Sequence, residues 1–392
     1  MRHIFIKITA VFFTLLFTIS FIPTSSSVTF NEVNSEYKYY TYQEMTDLLK
    51  NIQNQNKDIM KLESYGKTHE NRDIWFVKIS DNVDVDEKEP GVLLIGALHG
   101  DEKISYEILI FFIKHITDNY SKENTDNDND GFINEDPIDG IDNDQDGSVD
   151  EDPSEERVRE AIDNTQIYIL PMVNPDGVEA DIRKNCNPDS RHGVNINRNF
   201  GYDWKYYDLF PKIFANRWTD SETSGNYKGP APYSENETKV VKKVAESFTI
   251  NISLSYHSGA EVVFYPWYHT TAKTPHEDLF IEIGEDMEKI SGYPLWTGSN
   301  TFIPKLGGTL GTSENFLYGE HNILAYTVES ARIKSPTNEE YVYNLCYKNV
   351  GVHLYLCEKA QIVDNKELIS NQNIEKFQNF LNLFNHLFHF LK

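Results

Sequence analysis

Residues 91–102 read GVLLIGALHGDE. Val92–Ile95 form an apolar run with no polar interruption, the signature of a strand buried on both faces rather than on one. The run ends in glycine, and the turn that follows carries His99 and Glu102 to the threshold of the next segment, EKISYEILIFFIKHI, which has the length and apolar content of a helix. A buried strand that delivers a histidine and a glutamate at its carboxyl end suggests an open α/β sheet, in which sites form beyond the strand ends.

The pattern repeats outward from this stretch. YQEMTDLLKNIQNQN reads as an amphipathic helix and RDIWFVKIS as a strand; SEERVREAI and TQIYILPMV follow as helix and strand. TINISLSYH and ILAYTVES read as further strands, DLFIEIGEDMEKISG and EEYVYNLCYKNVGVHLYL as helices. Such alternation predicts an α/β fold: one domain over 39–358, with a mainly parallel or mixed central sheet flanked by helices on both faces.

Three segments stand apart. The first, 1–27, has Arg2 and Lys7 ahead of an apolar run from Ile8 to Ile22, with small residues at Ser25–Ser27. This is the layout of a secretory signal peptide, and it predicts a secreted protein; the apolar run is short for a membrane anchor, and no stable span is expected once it is cleaved. The third, within 359–392, places Phe377, Phe380, Leu381, Phe384, Leu387, Phe388 and Leu391 on one stripe at helical spacing. It reads as a helix that docks on the domain or forms an oligomer contact, since its polar face has few lysines to suit anionic lipid.

The second is the acidic insertion, 120–155. Asp126, Asp128, Asp130, Gly131, Glu135, Asp136 and Pro137 recur sixteen positions later as Asp142, Asp144, Asp146, Gly147, Glu151, Asp152 and Pro153. Alternating carboxylates before a glycine suit a hard cation, and Asp126, Asp128, Asp130, Asp136, Asp142, Asp144, Asp146 and Asp152 are the expected calcium ligands. The twelfth position of each unit is proline rather than the acid an EF-hand requires, so the pattern is closer to the aspartate-rich loops of extracellular repeat proteins. Composition alone would also suit a disordered acidic loop; two copies in one register favour calcium. The insertion also explains the net charge of −25, because 118–156 holds 16 acidic residues and one lysine. The rest of the chain is only mildly acidic, and nucleic acid is excluded as an expected partner. Cys186, Cys346 and Cys357 are too few for a disulfide scaffold and lack zinc-site spacing.

The chemistry gathers at strand ends. His99 and Glu102 follow one buried strand, and His257 ends another in ISLSYHSG. Two imidazoles and a carboxylate form a catalytic zinc set with its fourth position open to water. Glu329, in LAYTVES, ends a third strand and is placed to act as a general base. VNPDGVEADIRKN supplies Arg183 and GVNINRNFGYDW supplies Asn197 and Arg198, and an arginine fork suits the carboxylate of a free chain end.

Taken together, these ordered motifs resemble the zinc metallocarboxypeptidases of the carboxypeptidase A type, over about Tyr39 to Leu356. SYGKTHENRDIW is similar to that family's G-K-S-x-E-G-R-x-I segment and ALHGDE to its H-x-x-E. The resemblance implies His99, Glu102 and His257 as ligands of one catalytic Zn²⁺, Arg183 as the group that stabilises the oxyanion, and Asn197 with Arg198 as the grip on the substrate's terminal carboxylate. It also implies Glu329 as the glutamate that takes a proton from the attacking water and returns it to the leaving amine. Peptide or protein C-termini are then the substrates.

The sequence departs from the family at two positions, the first in FIPKLGGTLGTSENF, in which Gly307 stands where relatives carry a loop tyrosine. The position that lines the side-chain pocket in relatives aligns with Glu314, which predicts a preference for basic C-terminal residues unless Glu314 is an outward-facing loop residue. Alternatives on the same residues are a peptidase releasing diaminopimelate from peptidoglycan stem peptides, or an inactive calcium-binding surface protein.

Overall fold

The structure is a computed structural model that describes residues 36–120, 155–204, 206, 219–297 and 309–363. The leader segment, the acidic repeat with its eight expected calcium ligands, Gly307 and the apolar stripe of the tail lie outside the described residues.

Eight strands are present among these residues: β1 (Met60–Lys67), β2 (Asp73–Ile79), β3 (Gly91–Ile95), β4 (Gln166–Leu170), β5 (Ile252–His257), β6 (Ala260–Tyr265), β7 (Leu295–Thr297) and β8 (Leu324–Ala331). They form one sheet in the order β1-β2-β4-β3-β5-β8-β6-β7. The centre, β4-β3-β5-β8, is parallel. Antiparallel pairs flank it on both sides, β2 with β4 and β6 with β8. The mixed sheet expected from the sequence is therefore present.

The helices are α1 (Tyr42–Gln55), α2 (Ile104–Asn119), α3 (Glu155–Asp163), α4 (Pro175–Ala180), α5 (Asn236–Ser247), α6 (Glu277–Ser291), α7 (Ser313–His321) and α8 (Glu339–Ile362). Helix α1 starts where the sequence provides a capping box, with the Thr41 hydroxyl receiving the Glu44 N–H and the Glu44 carboxylate receiving the Thr41 N–H. None of the described helices is long and apolar enough to cross a membrane.

Strand alternation divides the core into two layers. Val92, Leu94, Ile167, Ile169, Leu254, Tyr256, Tyr326 and Val328 pack with residues of α1, α2, α3, α6 and α8. Leu93, Ile95, Tyr168, Leu170 and Ala325 pack on the opposite face with α5 and α7. Both faces of β3 are fully buried, as its unbroken apolar run predicts. Each buried leucine or isoleucine there contributes about 1.5–3 kcal/mol.

Helix α8 runs to Ile362 and buries Ala360, so the domain passes the expected boundary at 358. At the other end, Glu36 already bridges to Asn338 and the Tyr37 N–H donates to the Thr337 carbonyl, ahead of the expected start at 39. In both places apolar or backbone contacts extend the domain where the local pattern gives no signal. Helix α2 ends at Asn119 and α3 begins at Glu155, so the acidic insertion joins two helices, as its position in the sequence suggests.

Candidate active site

Alternation along β5 and β8 sets the first part of the site. Tyr256 and Val328 face the α2/α8 layer, so their successors His257 and Glu329 emerge together on the opposite face, paired in register. His99 arrives from β3 through a tight turn in which Ala97 adopts a left-handed φ of 48°. The turn lies against the first residues of α4. A Cβ on Gly100 would fall 2.1 Å from the carbonyl carbon of Gly177, so only glycine permits the approach. The loop after α4 then brings in Arg183, and a 3₁₀ turn at Ile196–Arg198 presents Asn197 and Arg198. This is the crevice at which the chain changes direction in the sheet, since β4 lies on one side of β3 and β5 on the other.

His99, Glu102 and His257 are all buried and close on one another. His99 Nδ1 is 3.0 Å from Glu102 Oε1, His257 Nδ1 is 2.8 Å from Glu102 Oε2, and the two Nδ1 atoms are 3.1 Å apart. Asn195 Oδ1 accepts a hydrogen bond from His99 Nε2 (3.1 Å), which fixes the ring proton there and leaves the Nδ1 lone pair facing inward. Arg183 Nη1 donates to Glu102 Oε1 at 2.7 Å.

Electrostatics match this donor set. Burial, with Arg183 nearby, lowers the His99 imidazole to about 3, so it is neutral. Burial would raise the Glu102 carboxyl, but the two imidazoles overcome it and hold it well below the ordinary range. Burial would lower His257, yet Glu102 raises it on balance. Two inward nitrogens and an ionised carboxylate on one point fit a metal ion.

Seven of the eight residues singled out for this chemistry line or bound one cavity of about 130 Å³: His99, Arg183, Asn197, Arg198, His257, Glu314 and Glu329. Glu102 stands behind it, bonded to both imidazoles. Glu329 Oε2 is buried without a hydrogen-bond partner. Burial pushes its carboxyl up, against the pull of His257 and Arg183. Glu314 is 1% exposed in the first turn of α7, so the outward-facing alternative does not hold; its Oε1 accepts from Ser313 Oγ at 2.7 Å. Asn197 Oδ1 accepts from the Ser313 N–H (2.9 Å) and its Nδ2 lies 3.1 Å from His257 Nε2, so this amide ties the His99–Glu102–His257 cluster to α7. Arg198 Nη1 donates to the Asn197 carbonyl at 2.5 Å.

A family model described as zinc carboxypeptidase matches residues 45–362. The chain belongs to the zinc carboxypeptidase family. Among its relatives is the zinc carboxypeptidase of Saccharothrix mutabilis subsp. capreolus, 29% identical over 307 residues, which cover 74% of this chain and 61% of that protein. The human carboxypeptidase N catalytic chain is 24% identical over 334 residues, 78% of this chain and 65% of that protein. The chain thus spans less than two thirds of the length of these curated relatives. The carboxypeptidase A structure from Helicoverpa armigera superposes with a TM-score of 0.64 at 17% identity, covering 84% of this chain and 75% of that one, a likeness of fold.

Several members of this candidate site have no clear signal in the sequence. Asn195 lies two residues before Asn197 in the same motif, and only the fold shows which amide supports His99. Tyr268 and Thr327 also line the cavity, the tyrosine hydroxyl donating to Thr327 Oγ1 at 3.0 Å. Thr327 was within reach, since it lies two residues before Glu329 and therefore on the same face. For Tyr268 the sequence has no signal.

A second cluster, His69, Glu235 and Glu237, sits at the start of α5. Amides reach both carboxyls: Asn185 Nδ2 donates to Glu235 (2.7 Å) and Glu237 (3.1 Å), and Asn187 Nδ2 to Glu235 (2.9 Å).

Proposed function

We propose that the protein is a secreted, zinc-dependent metallocarboxypeptidase that removes the C-terminal residue of peptides or proteins, with a preference for lysine or arginine. The observation that carries the reading is the convergence of His99, Glu102 and His257 beside the partnerless, buried oxygen of Glu329.

His99 Nδ1, His257 Nδ1 and the Glu102 carboxylate would hold the zinc, which when bound supplies Lewis acidity to a water and to the scissile carbonyl. The chain's own groups carry the other tasks. Glu329, desolvated and raised, accepts a proton at Oε2 and passes it to the departing amine. Arg183 reaches the cluster from its rim and stabilises negative charge on the carbonyl oxygen. Arg198 orients the substrate by its terminal carboxylate, and Asn197 holds α7 at the correct distance from His257. Glu314 faces the same small cavity and would pair with a cationic side chain there. Calcium, held by the aspartates of 120–155, would serve structure rather than chemistry.

The purified protein is assayed with zinc against peptides ending in Lys, Arg, Phe or Glu. Glu329→Gln is expected to lower turnover by about 10²–10⁴-fold while the bound zinc is retained. Glu314→Gln is expected to cost lysine release at least about 30-fold and to leave phenylalanine release nearly unchanged. No release from any peptide would refute the activity, and phenylalanine released faster than lysine would refute the role of Glu314.

A further inference from the structure

A second, larger cavity of about 510 Å³ opens beside the active site, with Arg183 lining both. Its walls carry Arg183, Lys184, Arg191 and His192, and no acidic residue lines it. In a chain of net charge −25 this is a local reversal of sign.

The four groups are not equivalent. Arg183 is engaged with Glu102, and Lys184 Nζ is held by the carbonyls of Glu222 (2.8 Å) and Ser224 (3.0 Å). Arg191 contributes only its backbone N–H, to the Glu222 carboxylate at 3.2 Å. Among the described residues, the Arg191 guanidinium and the His192 ring have no hydrogen bond or ion pair. Glu222 is therefore the acid at the edge of this wall, and it is occupied by backbone.

Substrate direction follows from the inner cavity. On the proposed carboxypeptidase reading, the terminal residue would lie toward Arg198 and Glu314, the cleaved bond by Arg183 and the His99–Glu102–His257 cluster, and the preceding residues would leave past Arg183, which lines both cavities. We propose that this outer cavity is a subsite for acidic side chains in the residues immediately before the cleaved bond, with Arg191 and His192 as its specificity-determining groups. The proposal rests on the carboxypeptidase reading for the direction of the chain. It gives the protein a two-ended charge code: acidic residues upstream, set against whatever terminal residue the inner cavity accepts.

The test uses pentapeptides with one common C-terminal residue, in which the three positions before the cleaved bond carry Glu, Ala or Lys in turn. At low salt, kcat/KM for the best Glu peptide should exceed that of the Ala peptide by about fivefold, chiefly through KM. The ratio should fall toward one in 0.5 M salt, as expected on the order of a 4 Å screening length. Arg191→Lys should keep the preference, Arg191→Ala with His192→Ala should abolish it, and Arg191→Glu should invert it toward Lys peptides. Equal rates for the three peptides, or a Glu preference that survives Arg191→Glu, would overturn the inference. If no pentapeptide is cleaved, the carboxypeptidase reading fails. Fluorescence anisotropy of the same labelled peptides then decides the subsite: Glu peptides bound more tightly than Lys peptides support it, and equal binding refutes it.

Discussion

Asn195 shows how one amide can set the chemistry of a neighbour. By accepting from His99 Nε2 it holds the ring in the tautomer whose other nitrogen faces Glu102 and His257. Asn195→Ala is therefore expected to weaken zinc binding by about 10–100-fold, read by competition with a chromophoric chelator, while the fold persists. Unchanged affinity would show that packing alone orients the ring. The residues that meet in the cluster were legible in the sequence, because His99 and His257 follow apolar strands and Glu102 lies in the turn after the first. Glu329 and both arginines, each read from its motif, line the same cavity. Asn195 and Tyr268 were not: their roles depend on which loops meet across 96 and 59 residues of chain, and no local pattern encodes that.

At the level of elements, the apolar strand pattern, unbroken where a strand is buried on both faces, accounts for most of what could be read in advance. It gave β3, β4, β5 and β8, the parallel centre on which the site stands. It failed for β1, which runs at the sheet edge, is interrupted by an irregularity between Ser64 and Gly66 and buries only part of its length. Helix α7 also escaped notice, being nine residues long with polar and apolar residues both buried. Helix α5 provides a pH test. Its first turn holds Glu237, fully buried, and burial together with Glu235 and Asp176 pushes that carboxyl up to about 8. A raised carboxyl is most compatible with the fold below its unfolded value of about 4.5, and its contribution declines as pH rises to about 8. Glu237→Gln should flatten this decline and stabilise the protein by about 3 kcal/mol at pH 7, read as the difference between melting curves at pH 5 and pH 8. A variant whose melting temperature falls by as much as the parent's across that interval would show that Glu237 is ionised in the fold.

For the molecule as a whole, topology separates the site from the end of α2, where the acidic insertion begins. Because β3 and β4 are parallel, α2 runs back from the carboxyl edge of the sheet, where the site lies, to the opposite edge. Its 16 residues span about 24 Å. Calcium at 120–155 is thus expected to raise the melting temperature by about 5 °C and to protect that segment from proteases, with kcat/KM constant within about twofold. A calcium-selective chelator that abolishes turnover while the segment stays protease-resistant would contradict this. The same separation has a practical side. Tyr120 at the end of α2 already donates its hydroxyl to Asp163 of α3 at 2.7 Å, so the two helices are fastened together independently of the segment between them. That fastening makes the junction between the two helices a natural splice point: a fluorescent reporter or an immobilisation handle grafted between them would be joined to the domain at the end of α2, about 24 Å of helix from the edge of the sheet that carries the site.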